Sequence, residues 1–351
     1  MDSRCDRVTG MLRRRLGTAV CLAYLAALLL PGPGEWLRHP HALPLGHGHR
    51  PHLHTTASLL ALVLFSAGIQ VPVRSLGRLL RRPSILLAGI TLHVVAPLLI
   101  IPPLVFLLRG SPDTDGGSGL VTAMILVVAM PVAAGATVWA GKGQGDQPVM
   151  VGLVLLSTLV SPLTIPLVVR ALAPLLKGGY ASTLAQAGRS LDSGFTLMAV
   201  VLPCAAGVLC RCSLPVRWAE RLSATVVPVA LVGSLLLTYV NASGALGSFL
   251  ARPRPLLLVA AVAVAALVCA FSFALGRLTA RVLRLDAPVA SSLTLACGMN
   301  NSSASAVLLT TALPDKPHLL LPVLAYGLLQ KTAANRVIRV RVRREPCAAT
   351  S

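Results

Sequence analysis

The chain has 351 residues and a mass of 36.4 kDa, and 55% of its residues are hydrophobic while only 12% are charged. A soluble domain carries about a quarter charged residues, so this composition excludes an ordinary soluble enzyme. The net charge of +20 would fit a nucleic-acid-binding protein, but a mean hydropathy of +0.78 leaves no hydrophilic domain to bind nucleic acid. We therefore expect a lipid bilayer as the partner and no nucleic acid.

Long apolar segments separated by short polar loops fill most of the chain. A membrane-spanning helix requires about 20 predominantly apolar residues. Ten segments meet this requirement, at 16–31, 57–73, 84–108, 119–139, 148–170, 194–212, 223–246, 255–276, 287–311 and 317–333. No Asp, Glu, Lys or Arg lies well inside any of them, because such a charge at the bilayer centre costs about 2.5–3.5 kcal/mol. The sequence predicts an all-α polytopic membrane protein with ten transmembrane helices.

The basic residues are distributed unevenly between the loops on the two sides. With a cytoplasmic N-terminus, about two thirds of the 31 lysines and arginines fall in cytoplasmic loops and termini, as the positive-inside rule requires. We therefore predict a multi-pass protein of the cell (cytoplasmic) membrane with N-terminus 1–15 and basic tail 334–351 both in the cytoplasm. The first segment also fits a secretory signal, and its removal would leave this orientation unchanged.

Two of the segments contain residues that interrupt a helix near the bilayer centre. The fourth carries Pro131 and Gly135, and the ninth carries Gly298, Asn300 and Asn301. Either break alone also fits a kinked helix with small packing residues. Because both breaks are fourth in a group of five segments, we predict two inverted five-helix repeats, 16–170 and 194–333, joined by an external linker at 171–193.

Three motifs around these breaks resemble those of one transporter family. The strongest is Ala296-Cys297-Gly298-Met299-Asn300-Asn301-Ser302, which resembles the family's Glu-x-Gly-Met-Gln-Asn stretch in its ninth helix. The second runs from Pro131 through Gly145-Asp146 to Ser161-Pro162, and the third is Leu92-His93-Val94-Val95-Ala96-Pro97. On these motifs the chain resembles a divergent, bacterial-type member of the bile acid:sodium symporter family over about residues 16–330.

The resemblance implies both an architecture and an activity. In the family, helices 1, 2, 6 and 7 form a panel, helices 3–5 and 8–10 form a core, and the broken helices 4 and 9 cross within the core. Family members carry organic anions by alternating access, usually with two sodium ions bound behind the crossing. The substrate lies between core and panel, beside the breaks. We therefore expect a secondary transporter of a small organic anion or polar metabolite.

The predicted substrate site follows from the helix breaks and the family motifs. Amides, hydroxyls and half-helix N-termini near the breaks are suited to an anionic group. The residues expected at the substrate are Ala134, Gly135, Thr137, Ser157, Thr158, Asn300, Asn301 and Ser302.

Several positions at which the family binds sodium are altered in this chain. The family's ninth-helix glutamate falls on Ala296, its third-helix glutamine falls on Leu92, and the hard oxygen ligands that sodium prefers are nearly all gone. The remaining ion-binding candidates are Ala296, Cys297, Met299, Asn300, Ala136 and Thr137, partly through backbone carbonyls. We predict no cofactor, and we expect the family's two-sodium mechanism to be lost.

Two other modes of coupling are left open by the sequence. His93 is an ionisable side chain well inside a predicted span, so it is a candidate proton site. A neutral histidine bonded to a carbonyl or lining a polar pocket fits the same position. The second mode is a uniporter or exchanger whose site recognises only the substrate.

Three alternatives to this transporter are compatible with the sequence, whereas an enzyme is not. A sodium-coupled bile acid or organic anion symporter with altered sites, an arsenite- or auxin-type efflux carrier and a non-transporting membrane receptor stay open. The cysteine of arsenite carriers has no counterpart near Pro131. No nucleophile–base pair or carboxylate dyad occurs in the spans, so we predict that the protein is not an enzyme. The sequence leaves the oligomeric state open.

Six histidines crowd into the first predicted external loop. They form three His-x-His pairs, His39 and His41, His47 and His49, and His52 and His54. Such pairs could hold zinc or copper or respond to external acid, but no fixed geometry is implied. We interpret the segment as a polar loop and predict no metal site.

Overall fold

The computed structural model describes residues 16–38, 41–42, 52–53, 55–71, 83–110, 117–190, 197–251, 253–313 and 316–342. Apart from two short strands, the regular structure in these ranges is helical. The helices are α1 (Leu16–Leu29), α2 (Pro31–Arg38), α3 (Thr55–Ile69), α4 (Pro83–Leu107), α5 (Ser118–Ala129), α6 (Ala136–Lys142), α7 (Gln147–Leu172), α8 (Gly179–Ser190), α9 (Leu202–Ser213), α10 (Val216–Ala251), α11 (Pro255–Val282), α12 (Ala287–Gly298), α13 (Ser302–Ala312) and α14 (Leu320–Val342). The prediction of an all-α membrane protein is confirmed.

The lengths of these helices bear on the predicted crossings. Among the described residues, four helical stretches are long and apolar enough to cross a bilayer: Pro83–Gly110, Gln147–Leu175, Val216–Ala251 and Pro255–Val282. A fifth results if α1 and α2, which meet at 94°, count as one bent span. Shorter apolar helices include α3, α5 and α12. Ten crossings and their inverted repeats therefore stay a prediction.

The first helix ends slightly earlier than its predicted span. Pro31 lacks an amide hydrogen and begins α2 as its first residue, which accounts for the sharp bend after Leu30. α2 then packs on α10, where a Cβ added to Gly34 would overlap the Ser243 hydroxyl. The absence of a side chain at Gly34 thus allows the two helices to approach closely.

Part of the first predicted external loop and part of the predicted linker have regular structure. Strands β1 (His41–Ala42) and β2 (His52–Leu53) pair antiparallel. His39, His47, His49 and His54 lie outside the described residues, so the metal hypothesis for the histidine pairs is not tested. α7 continues to Leu172 into a 3-10 turn, and α8 follows within the range predicted as linker.

Helix packing divides into two groups. α3 packs closely against α9 and α10, and α10 also packs against α1 and α2. In the other group α4 packs against α5 and α7, while α11 packs against α12 and α14. A cavity lies between these groups, beside the two interrupted segments.

Two glycines allow the backbones of α3 and α9 to approach closely within the first group. Where α3 crosses α9, a Cβ on Gly207 would overlap the Phe65 carbonyl oxygen and lie 2.9 Å from the Ile69 nitrogen. A Cβ on Gly68 would overlap the Cys204 carbonyl oxygen in the same way. Both obstacles are backbone atoms, so neither can move aside as a flexible side chain can.

Candidate functional site

The two predicted helix breaks meet and bond to each other. α5 ends at Ala129 and α12 ends at Gly298, and the residues that follow each helix run antiparallel, with Val132 opposite Asn300. The Ala133 amide donates to the Met299 carbonyl at 2.8 Å, and the Asn301 amide donates to the Pro131 carbonyl at 2.9 Å. Each break therefore satisfies some of the backbone groups that the other leaves free, as the bilayer interior demands. We call residues 130–135 and 299–301 the crossing segments.

Side chains from two neighbouring helices hold the crossing segments in position. The Ser157 hydroxyl of α7 accepts a hydrogen bond from the Val132 amide at 3.1 Å and donates to the Val154 carbonyl at 3.1 Å. The Tyr326 hydroxyl of α14 donates to the Gly298 carbonyl and accepts from Asn300 Nδ2, each at 3.1 Å. Both side chains are fully buried, so these contacts fix the geometry of the breaks.

A cavity of about 570 Å³ borders the crossing segments. This volume lies in the range of sites for small organic ligands. Six of the eight residues predicted to contact substrate line the cavity: Ala134, Gly135, Thr137, Asn300, Asn301 and Ser302. The other two, Ser157 and Thr158, are not among the lining residues. The Thr158 hydroxyl donates to the Val154 carbonyl at 2.6 Å within α7.

Two half-helices begin at the cavity wall. α6 begins at Ala136 and α13 begins at Ser302. The Asn301 side chain caps α13 by accepting a hydrogen bond from the Ala304 amide at 3.1 Å. The Thr137 hydroxyl donates to the Ala134 carbonyl at 2.8 Å. The positive end of the α13 dipole therefore faces the cavity.

The sequence prediction did not include several polar residues of the cavity, among them four with a charged or amide side chain on the core helices. They are Lys142, Gln147, Gln330 and Lys331. Gln330 donates to the Ser302 hydroxyl at 3.3 Å, while its Oε1 atom is buried without a hydrogen-bond partner among the described residues. The available signal was their position near the end of a predicted span, where lysine normally marks only the membrane surface.

The lining of the cavity combines two lysines with apolar side chains. Lys142 is exposed at the cavity, with its Nζ atom 5.0 Å from the centre of the Trp139 ring, and partial desolvation lowers the pKa of this ammonium group. No Asp or Glu is among the described lining residues. Another part of the lining is apolar, with Leu60, Val227 and Leu231 among its members. The cavity is therefore basic at one part of its surface and hydrophobic at another.

The predicted ion-binding residues lie around and behind the crossing segments. Ala136 is fully buried, and the Met299 carbonyl is already bonded to the Ala133 amide. Ala296 and Cys297 line a second, much smaller cavity of about 10 Å³, together with Leu92 and His93. Within the described part of the chain, no group of three or more His, Cys, Asp or Glu residues could hold a metal ion.

Comparison with known proteins gives one informative result. No match to this chain is found among curated protein sequences. The model of the Sodium Bile acid symporter family matches residues 57–252. This range runs from within α3 to the end of α10 and includes the first break, whereas the second break lies beyond it. The matched range covers more than half of the chain, and the apolar helices agree with it, so the chain belongs to the sodium bile acid symporter family of membrane transporters.

Proposed function

We propose that this protein is a secondary transporter that carries a small organic anion across the cytoplasmic membrane by alternating access. The observation that carries the proposal is the cavity beside the crossing segments, which contains two lysines and no described acidic residue. A net positive cavity attracts anions and disfavours cations. The apolar wall suits a substrate with a hydrophobic body, as the bile acids in the family's name have.

Polar groups near the lysines would orient the substrate. The buried Oε1 atom of Gln330 is an acceptor in need of a donor, so a hydroxyl or amine of the substrate would satisfy it. The amides at the start of α13 favour a negative group in the same region. An anion that also carries a hydrogen-bond donor fits this arrangement better than a purely apolar acid.

The proposed mechanism needs two bodies that move relative to each other. We assign helices α1, α3, α9 and α10 to the panel, and α4–α7 and α11–α14 to the core, with inverted repeats at 16–170 and 194–333. The division of the packing into two groups supports this assignment, as do the two crossing breaks. In the proposed orientation, Lys142 and Lys331 lie toward the cytoplasm, so the cavity belongs to an inward-facing state.

The coupling ion in this proposal is not sodium bound by the family's two-site mechanism. Ala296 and Leu92 replace a carboxylate and an amide, and removing a carboxylate leaves a buried cation uncompensated. The Met299 carbonyl, one of the remaining candidate ligands, already accepts a hydrogen bond from the Ala133 amide, which occupies one of its two lone pairs. Both observations support a carrier that works without sodium.

Counterflow in proteoliposomes tests the transport proposal. Liposomes loaded with unlabelled cholate, or with short mono- or dicarboxylates, should accumulate the labelled anion transiently. The variant Gly135→Leu should abolish this accumulation, because Gly135 lines the cavity and a side chain there meets no atom within 4 Å. Gly179→Leu, at a similarly open glycine on α8, is the matched control.

The outcomes of counterflow distinguish the alternatives. Accumulation that Gly135→Leu removes and Gly179→Leu preserves supports the proposal. Anion binding to the purified protein without counterflow identifies a receptor instead. Accumulation that persists in a stably folded Gly135→Leu variant means that the substrate does not pass through this cavity.

Neutralising the cavity lysines should weaken anion binding. We expect Lys331→Gln and Lys142→Gln each to raise the Kd of cholate by about tenfold, which is the loss of one charge-assisted contact of about 1.4 kcal/mol. Isothermal titration calorimetry of purified variants measures the effect. Lys177→Gln, at an exposed lysine outside the cavity, should bind cholate as the unaltered protein does. Equal affinities in all three variants would contradict a role for the lysines.

A further inference from the structure

Three exposed arginines lie at the C-terminal end of α11: Arg277, Arg281 and Arg284. The spacing of four residues places Arg277 and Arg281 on the same face of the helix, one turn apart. Arg284 follows less than one turn later, just after the helix ends at Val282. In the predicted orientation this end of α11 lies at the cytoplasmic surface of the membrane. We call the three residues the arginine cluster.

The arginine cluster has no acidic partner within the described part of the chain. None of its guanidinium groups forms a hydrogen bond or ion pair with the described residues. Asp286, the acid nearest to the cluster along the chain, is exposed at the start of α12 and pairs with none of them. Helix α14, which packs against α11, adds the exposed Arg336. Because like charges one turn apart repel each other, an anion from outside the chain would stabilise this end of α11.

The backbone of Arg284 adopts a conformation that is unfavourable for arginine. Its φ is +48°, in the left-handed region that glycine adopts readily. The Leu285 amide donates to the Ala280 carbonyl at 3.0 Å, which is the pairing of a Schellman cap, and glycine is the usual residue at this position of the cap. Arginine therefore costs stability here that glycine would not cost. A partner outside the chain would account for an arginine at this position.

The surface of α11 next to the arginine cluster is suited to lipid chains. Ala270 and Ala274 are exposed on the same face as Arg277, on the side toward the bilayer centre. Phe271 and Leu278 are exposed beside them. The two alanines leave room for an acyl chain next to these larger side chains. A phosphate held by the arginines would therefore place its lipid chains along this apolar face.

We propose that the arginine cluster binds the headgroup phosphate of an anionic phospholipid, whose acyl chains lie along the exposed alanines of α11. Guanidinium groups form paired, charge-assisted hydrogen bonds with phosphate oxygens, and basic residues at the membrane surface attract anionic lipids. The bound lipid would hold the helix that supports the second break, because a Cβ added to Gly276 of α11 would lie only 2.8 Å from the Cys297 Cβ of α12. This inference does not depend on which substrate the protein carries.

Native mass spectrometry of the purified full-length protein, titrated with phosphatidylglycerol in detergent, measures this binding. We expect the variant Arg277→Gln/Arg281→Gln to raise the apparent Kd of the first bound phosphatidylglycerol by about 25-fold, or about fivefold for each arginine removed. The matched control is Arg217→Gln/Arg221→Gln, which removes two exposed arginines of the same spacing near the start of α10, where Glu220 lies between them. This control should leave the Kd unchanged. Phosphatidylcholine should bind weakly and equally to all three proteins.

The variant Arg284→Gly separates lipid binding from a role in ending the helix. Glycine relieves the left-handed conformation, so the Tm without lipid should be equal or higher. The Kd of phosphatidylglycerol should nevertheless rise by about fivefold, because one basic contact is lost. A lowered Tm with an unchanged Kd would contradict a role for Arg284 in lipid binding.

Two further results would overturn the lipid site. Equal losses of phosphatidylglycerol affinity in the α10 and α11 double variants would mean that anionic lipids are attracted to basic surfaces in general. Displacement of phosphatidylglycerol by millimolar glycerol 3-phosphate would identify a soluble phosphate as the occupant. A loss confined to the α11 variants, with no displacement by glycerol 3-phosphate, supports the proposal.

Discussion

Replacing Gly207 with alanine adds a single methyl group, and we expect this addition to cause a large loss of stability. The added Cβ would overlap the Phe65 carbonyl oxygen and lie 2.9 Å from the Ile69 nitrogen, so α3 and α9 must separate. Overpacking costs about 1–3 kcal/mol, and we expect a value at the upper end because the obstacles are backbone atoms. Thermal unfolding of the detergent-purified protein measures the loss as a lowered Tm.

The matched control is Gly233→Ala on α10. This glycine also faces α3, but its added Cβ would lie 3.4 Å from the nearest atom, a methyl group of Leu62, which is an ordinary contact. Its Tm should be unchanged or slightly higher, because alanine favours a helix more than glycine does. If Gly207→Ala is as stable as Gly233→Ala, the crossing of α3 and α9 is not as close as described.

Replacing Tyr326 with phenylalanine should destabilise the crossing segments by about 3 kcal/mol. The ring would still fill its place, but the Gly298 carbonyl and the Asn300 amide group would both lose their hydrogen-bond partner in the buried interior. Each buried group left unsatisfied costs about 1–3 kcal/mol. Denaturation of the purified variant measures the loss of unfolding free energy, and anion affinity should fall with it because Asn300 lines the cavity.

Tyr239→Phe provides the comparison. The Tyr239 hydroxyl donates to the Leu30 carbonyl at 2.7 Å, but that contact is exposed and lies at the end of the first predicted span, at the membrane surface, so water can replace it. We expect a loss below about 1 kcal/mol. Equal losses in the two variants would mean that the Tyr326 hydroxyl does not stabilise the second break.

The helix breaks were predictable because they depend on local chemistry. Pro131 and Gly135 destabilise a continuous membrane helix, and Asn300 and Asn301 are too polar for contact with lipid. The structure interrupts both segments there and pairs Val132 with Asn300. The pairing between the two crossing segments was harder to predict from the sequence, because it joins residues that are distant along the chain.

The contents of the cavity were only partly predictable. Ser157 and Thr158 belong to a family motif, yet their hydroxyls bond the α7 backbone and, for Ser157, the Val132 amide. Conversely, Gln330 and Lys331 end an apolar span, where charge normally marks only the membrane surface. Which face of a helix a residue occupies depends on packing between distant helices, and one sequence does not specify that packing.

Family membership and the proposed transport without sodium lead to opposite expectations about sodium dependence. The family is described as sodium symporters, whereas this chain has Ala296 and Leu92 at two of the expected ligand positions. Backbone carbonyls alone give a cation no compensating charge. The question is therefore whether an anion occupies the cavity without sodium.

Thermal stabilisation of the purified protein by organic anions, measured in sodium and in potassium buffers, tests this most directly. At an anion concentration of about 100 times the Kd, binding should stabilise the protein by about 2.7 kcal/mol and raise its Tm measurably. We predict the same shift with cholate, or with whichever carboxylate proves to bind, in both buffers. A shift that appears only in sodium would contradict the account, because it would mean that Ala296 and its neighbours still bind the family's ion.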